Sequence, residues 1–286
     1  MNKNIFLLWL QGWDKAPWLQ NEVLKSWEIN NPDWNIHLID FKNLKNYVND
    51  IDYIYDANKK ISPQAKSDII RLSLLKNYGG VWADSTLLCM QPLDHWINEA
   101  TKPNGIWMYH GHGAQLDSNL GPSSWFIISE KNSYIINKWK KVSDNYWLKL
   151  NKAKDYFWMD LLFKELLIKD NKFKSEWLKT PFLYCEEVGS SHTLSHMNFK
   201  MHKNNSFLKK VLEVKPPYVL KLSSNFDKTF PNLNSRKFKF SNVFFALKMS
   251  KRGYCYKHQY KKPFAIKSPY KSIYKKIINK FINIFF

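Results

Sequence analysis

The stretch from Ile61 to Leu93, ISPQAKSDIIRLSLLKNYGGVWADSTLLCMQPL, narrows the fold more than any other part of the chain. Ser62 is placed to cap a helix and Pro63 to open it, because the first helical position needs no backbone N–H. Ala65, Ile69 and Leu72 recur at helical spacing, and Gly79 stands where a helix ends through a left-handed residue. Val81-Trp82-Ala83 is then a brief buried strand, with Asp84-Ser85-Thr86 at its polar end. At about 100° per residue, Asp68 and Arg71 lie roughly 60° apart, at one edge of the apolar stripe. From there both reach past the helix into a cleft. In open α/β sheets ligands bind at the carboxyl ends of strands, and Asp84 falls at such an end.

The flanking segments extend this pattern. Residues 4–12, NIFLLWLQG, read as a strand running into a polar loop. Pro17 to Asn30 is an amphipathic helix with Leu19, Val23, Trp27 and Ile29 as candidate buried positions, and Asn31-Pro32-Asp33 breaks it. Trp34 to Ile39 is a second strand ending at Asp40, which reads first as a helix N-cap. Strand, helix, strand at this spacing is a βαβ unit and predicts a parallel sheet. Further strands are expected at Ile106 to Tyr109 and Trp125 to Ser129. A helix is expected over Ser133 to Leu150, with Ile135, Ile136, Trp139 and Val142 inward.

Composition limits the alternatives. With 286 residues and 44% hydrophobic content, the chain builds a sizeable core and is not wholly disordered. Cys89, Cys185 and Cys255 show no paired spacing, which points to a reducing compartment without a disulfide framework. The apolar run Ile5 to Leu10 is short for a signal peptide, and no 18-residue apolar run exists, so a cytoplasmic protein without a spanning helix is expected. The formal charge of +20 is concentrated at one end: residues 251–286 carry ten Lys or Arg and no acid. Within that tail Ser268 and Pro269 start a helix, with Tyr270, Ile273, Tyr274, Ile277, Ile278 and Phe281 on one face. Lys271, Lys275, Lys276 and Lys280 fill the other. Such a helix lies in a membrane surface, each lysine near anionic lipid contributing about 1 kcal/mol. Docking on the globular core is the alternative.

Ser67-Asp68, Arg71, Leu74-Leu75, Tyr78-Gly79-Gly80 and Asp84, in that order and spacing, resemble the bacterial capsular polysaccharide synthesis proteins. They are similar also to the related DXD-motif sugar transferases of glycosyltransferase family 32. The resemblance covers Phe6 to Leu93 well and about 120–223 more weakly. It implies an α/β fold of the GT-A-like kind: a twisted, mostly parallel nucleotide-sugar-binding sheet flanked by helices. The transferase domain would span residues 1–250, donor-binding over about 1–130 and acceptor-binding over about 131–250, before the basic tail 251–286.

By the same resemblance Asp68 and Arg71 face the nucleotide sugar, and Asp84 holds a divalent metal (Mn²⁺ or Mg²⁺) bridging its diphosphate. Where family 32 has Asp-any-Asp, this chain has Asp84-Ser85-Thr86, so Thr86 brings a hydroxyl and no charge. The metal shell would then draw on His192 or His196, four residues apart, unless these are ordinary surface histidines. Trp9-Leu10-Gln11-Gly12 resembles the family's entry to the nucleotide pocket, making Trp9 and Gln11 candidate base contacts, with Trp9 as plain core the other reading. Asp40 is a candidate ribose contact beside its capping role. The strand at residues 123–129 resembles one that faces acceptor. Asp160, after the DYF-type element Asp155-Tyr156-Phe157, is a candidate acceptor-side base or leaving-group contact, or else a solvated helix residue. Lys221, on the strand Pro217 to Ser223, would neutralise a departing diphosphate or remain a solvated strand residue. The loop His110-Gly111-His112-Gly113 would cover substrate, and a metal pair there is the weaker reading.

The implied function is sugar transfer from a nucleotide-sugar donor, UDP-linked, to a growing capsular or surface polysaccharide. The acceptor would be lipid-linked, the reaction retaining, and the enzyme peripheral on the inner face of the cell membrane. Two other classes remain. One is a non-catalytic scaffold with a degenerate transferase fold, suggested by Thr86. The other is a nucleic-acid-binding protein, disfavoured because the basic excess lies in an amphipathic tail rather than among interleaved aromatics.

Overall fold

Strand β1 (Asn4–Leu8, NIFLL) is buried over its last four residues, which places it at the centre of a sheet. It pairs in parallel with β2 (Asn35–Ile39) on one side and β3 (Gly80–Ala83) on the other. The computed structural model describes residues 1–110, 121–183 and 216–252, with Ser206, Lys209, Leu212 and Glu213. Beyond β3 the sheet continues through β6 (Pro122–Ser129) to β5 (Ile106–His110), both pairings antiparallel. The order is therefore β2-β1-β3-β6-β5, with four strands pointing one way and β6 reversed. A second, two-stranded sheet joins β4 (Leu87–Cys89) to β7 (Val219–Lys221).

Side-chain alternation along β1 divides the core into two layers. Ile5 and Leu7 pack with α1 (Trp18–Asn30), the β4–β7 sheet and α9 (Asn242–Ser250, after the short α7 at Phe226–Thr229 and α8 at Arg236–Lys239). Phe6 and Leu8 pack with α2 (Pro63–Tyr78) and, after the short α3 (Ile97–Thr101), with α4 (Tyr134–Lys149), α5 (Trp158–Lys169) and α6 (Asn171–Lys179). Helices thus cover both faces, the α/β architecture the sequence implies. From β1 the chain crosses by α1 to β2, then returns by α2 past β1 to β3. The strand order switches direction between β1 and β3, and in such sheets a ligand crevice opens there, at the carboxyl ends.

The expected helix 63–78 forms as read: the Ser62 hydroxyl accepts from the Ala65 N–H at 3.2 Å and Pro63 occupies the first turn. It ends at Gly79 (φ 64°), followed by Gly80 (φ 104°). A Cβ on Gly80 would lie 2.5 Å from the Asn4 carbonyl oxygen, so only glycine lets β3 start against β1. The inward set of α1 differs from the sequence reading at one residue. Leu19, Val23 and Trp27 are fully buried, but Ile29 is 43% exposed. Ile29 is about 200° around the helix from Trp27. The next inward position is Asn30, whose amide donates to the Ser26 and Ser250 carbonyls at 2.8 and 2.7 Å.

Asp40 is not a helix N-cap: its carboxylate accepts from the Lys42 and Asn43 N–H groups and closes a turn, and the short 3-10 helix that follows (Leu44–Asn46) has Asn43 at its N-cap. His110, first of the His-Gly-His-Gly run, ends β5 fully buried between Trp177 and Phe182, and burial pushes its imidazole down to about 3. His112, and the tail beyond Arg252 with its expected helix, lie outside the described residues. Among the described residues no helix is long and apolar enough to cross a membrane.

Candidate active site

The carboxylate of Asp84 emerges directly after β3, its N–H donating to the Trp125 carbonyl of β6 at 3.0 Å. Three groups converge on it. The Trp82 indole, two residues back on the same strand face, donates to Oδ1 at 3.0 Å. The Arg71 guanidinium approaches the same oxygen at 3.3 Å. The Lys221 ammonium donates to Oδ2 at 2.7 Å and, at the same distance, to the Thr86 hydroxyl. Burial alone would push the Asp84 carboxyl up; Lys221 and Arg71 outweigh it and hold the group below the usual carboxylate range.

Each partner is delivered by a different element. Arg71 comes from α2, 5% exposed, its Nη1 donating to the Ser124 carbonyl at 2.7 Å and its Nη2 to the Ser67 hydroxyl at 3.2 Å. It lies over the Trp82 ring, 5.1 Å from the centroid. Its pair with Asp68 at 3.1 Å is therefore no ordinary surface salt bridge. Lys221 comes from β7, held opposite Leu87 by strand register and by the Leu222 N–H to the Thr86 carbonyl at 2.9 Å. The solvated-strand reading of Lys221 does not hold, since its side chain is only 16% exposed.

Asp68 links this centre to α5. Burial raises its carboxyl to about 6 despite Arg71, with Asp84 adding to the rise and a hydrogen bond from Trp158 opposing it. Asp160, in the first turn of α5, is 9% exposed, so it is not the solvated residue that one reading allowed. Burial, then the charge on Asp68, pushes its carboxyl up to about 7, and its Oδ1 is buried without a hydrogen-bond partner. The structure therefore brings Asp68, Arg71, Asp84, Thr86, Asp160 and Lys221 into one electrostatic group.

Trp9 follows β1, across the switch point from Asp84. It is half-buried, with its indole N–H buried and unpartnered, while Gln11 is exposed. His192 and His196 lie outside the described residues. Sequence reading missed Trp82 and Trp158 as partners of the carboxylates. The first had a signal in its two-residue spacing from Asp84, which puts both on one face of a strand. Trp158 had none, since nothing local shows that α5 meets α2.

Among the described residues, the side chains around Asp84 do not fit a divalent ion. Both carboxylate oxygens are engaged by cations, and the Lys221 ammonium takes the position between Asp84 and Thr86 that the ion would need. Among the described residues no group of three His, Cys, Asp or Glu side chains is placed to hold one.

The O-glycosyltransferase braB of Annulohypoxylon truncatum is 24% identical over 159 residues, covering 51% of this chain and 38% of that protein. The glycosyltransferase afumC of Aspergillus fumigatus (strain CBS 144.89 / FGSC A1163 / CEA10) is 26% identical over 165 residues, covering 51% and 40%. The match thus spans about two fifths of the length of these curated relatives. Among solved structures, the PaToxG glycosyltransferase superposes with a TM-score of 0.43 at 16% identity, over 88% of this chain and 87% of that one. The catalytic domain of alpha-toxin from Clostridium novyi gives 0.36 at 14%, over 97% and 82%. The family model described as capsular polysaccharide synthesis protein matches residues 1–235, and the chain belongs to that family.

Proposed function

We propose that the chain is a glycosyltransferase moving a sugar from a nucleotide-sugar donor, UDP-linked, to a growing capsular polysaccharide. The observation that carries this reading is the Arg71–Asp84–Lys221 group at the carboxyl end of β3, beside the switch point of a nucleotide-binding type of sheet. The reaction breaks the bond between the anomeric carbon and the β-phosphate oxygen, leaving the electron pair on that oxygen. Cations fixed where this charge develops stabilise the transition state more than the ground state. Arg71 and Lys221 are so fixed. Asp68, at the edge of the group, is suited to the sugar hydroxyls, and Trp9 with Gln11 to the uracil. Asp160, whose titration falls near neutrality, is suited to the acceptor side as a proton carrier.

Family resemblance supports retention of the anomeric configuration and a lipid-linked acceptor. The basic amphipathic sequence of residues 266–286 supports a place on the cytoplasmic face of an anionic membrane. The first test is hydrolysis and transfer with a panel of UDP-sugars, read by release of UDP. Turnover of one donor is expected, and none with any nucleotide sugar would leave the scaffold reading. Deleting residues 266–286 is expected to release the protein from phosphatidylserine vesicles without loss of UDP binding. A truncated protein that still sediments with the vesicles removes the tail's role.

A further inference from the structure

We infer that Lys221 is a built-in cation standing where a divalent metal would bridge donor and protein, so that the donor diphosphate is held by Lys221 and Arg71 without a metal ion. This rests on the transferase reading and adds to it the means of charge stabilisation. Three observations carry it.

The first is occupancy. The ammonium lies 2.7 Å from both Asp84 Oδ2 and Thr86 Oγ1, the two groups that the DXD-like position offers. A second cation cannot share that space, since at such separation two positive charges in a partly buried site repel strongly.

The second is the chemistry of Thr86. A divalent ion at this position draws on carboxylates to balance its charge, and Thr86 offers none. An ammonium needs only acceptor oxygens, and a hydroxyl is one. The departure from Asp-any-Asp is thus the substitution that a lysine, rather than a metal, accommodates. Lys221 and Thr86 come as a matched pair, held by the register of Leu87 opposite Lys221 and by the Leu222 N–H to the Thr86 carbonyl.

The third is charge and donor count. Arg71 and Lys221 balance the charges of Asp68 and Asp84 when both acids are ionised, so a phosphate there meets no uncancelled negative charge from that pair. Lys221 has three N–H donors, and Asp84 and Thr86 take two. The third is open to a phosphate oxygen. During transfer the acceptor oxygen bonds to the anomeric carbon, the β-phosphate oxygen leaves with its electron pair, and nucleoside diphosphate and one proton are released. The added negative charge on the diphosphate falls beside an ammonium already fixed in place.

Calorimetric binding of UDP to the full chain, in EDTA and in Mn²⁺, tests this. The wild type is expected to bind UDP with affinities within about twofold of each other in the two conditions. Lys221→Met is expected to lose about tenfold or more in EDTA, equivalent to ~1.4 kcal/mol. Its freed Asp84 and Thr86 should let Mn²⁺ restore part of that loss. Lys221→Arg, which keeps the charge, should bind UDP in EDTA better than the Met variant; thermal melts confirm that both are folded. Wild-type binding that requires Mn²⁺ overturns the inference and leaves the transferase reading standing. No UDP binding in either condition overturns both.

Discussion

Two cationic side chains, Arg71 and Lys140, are buried to nearly the same degree, 5% and 1% exposed, yet their surroundings differ in kind. Lys140 on α4 meets Asp144 at 2.6 Å and Asp50 at 3.2 Å. Asp50 is further bonded by the Ser73 hydroxyl, and Asp144 by the Tyr53 hydroxyl at 2.8 Å. Burial raises the Asp50 carboxyl, but Ser73 and Lys140 more than offset this and hold it below its usual range. The partners close on one another. Around Arg71 they do not: its own Nε and the Asp160 Oδ1 are both buried without a hydrogen-bond partner. Two of the carboxylates there are pushed up, to about 6 and about 7. Burial of charge is common to both. What separates a structural network from a site is whether its donors and acceptors are used up within the fold.

Lys140→Met is the severest test of the closed network. It leaves Asp50 and Asp144, 30% and 27% exposed, without their shared cation, and stranding such partly solvated acids costs about 1–3 kcal/mol. A urea melt should show a shift of that size; a change under about 1 kcal/mol would mean that the network does not hold the fold. The matching change in the open group is Asp84→Asn. It removes the carboxylate that aligns Arg71 and Lys221, and sugar transfer should fall by about 10²–10³-fold, the scale seen when a fixed charge-stabilising contact is lost. Its melting midpoint should fall with the fold retained, because Asp84, held ionised by Lys221 and Arg71, stabilises the folded state at neutral pH. Activity near the wild-type level would dismiss the site.

The same contrast explains how much the sequence discloses. The cap at Ser62, the stop at Gly79-Gly80 and the strand before Asp84 are local, written in residues that adopt those conformations wherever they occur. The βαβ order follows from periodicity and spacing, so the sheet's first three strands were legible too. Asn30 was not: a polar residue on an inward face is intelligible only once Ser250, 220 residues away, supplies its carbonyl. Lys221 beside Thr86 and Trp158 beside Asp68 are likewise products of tertiary packing. Resemblance named Lys221 as a diphosphate partner, but nothing along the chain shows that its ammonium already rests on the Asp84-Ser85-Thr86 turn.

Asp160 sharpens the comparison most finely, because its cost to the fold depends on pH. Burial first, then the charge of Asp68, raises its carboxyl to about 7, with Arg71 and Lys164 opposing. The unfolded chain releases that proton near the ordinary value of 3.8, so between about pH 4 and 7 the folded state binds more protons than the unfolded one. Stability then falls as pH rises through this window and levels off above it. Asp68, raised to about 6, adds to the fall in the lower part of the same window. Asp160→Asn keeps the shape and carries no charge at any pH. It should match the wild type at pH 4 and exceed it by about 1–3 kcal/mol at pH 8, in denaturant melts at both values. The corresponding change in the closed network, Asp50→Asn, should act in the opposite sense and weaken the protein at pH 8, because Asp50 is held ionised by its partners. If Asp160→Asn destabilises equally at both pH values, the carboxylate is already satisfied in the fold, and the open character of the group around Arg71 is lost with it.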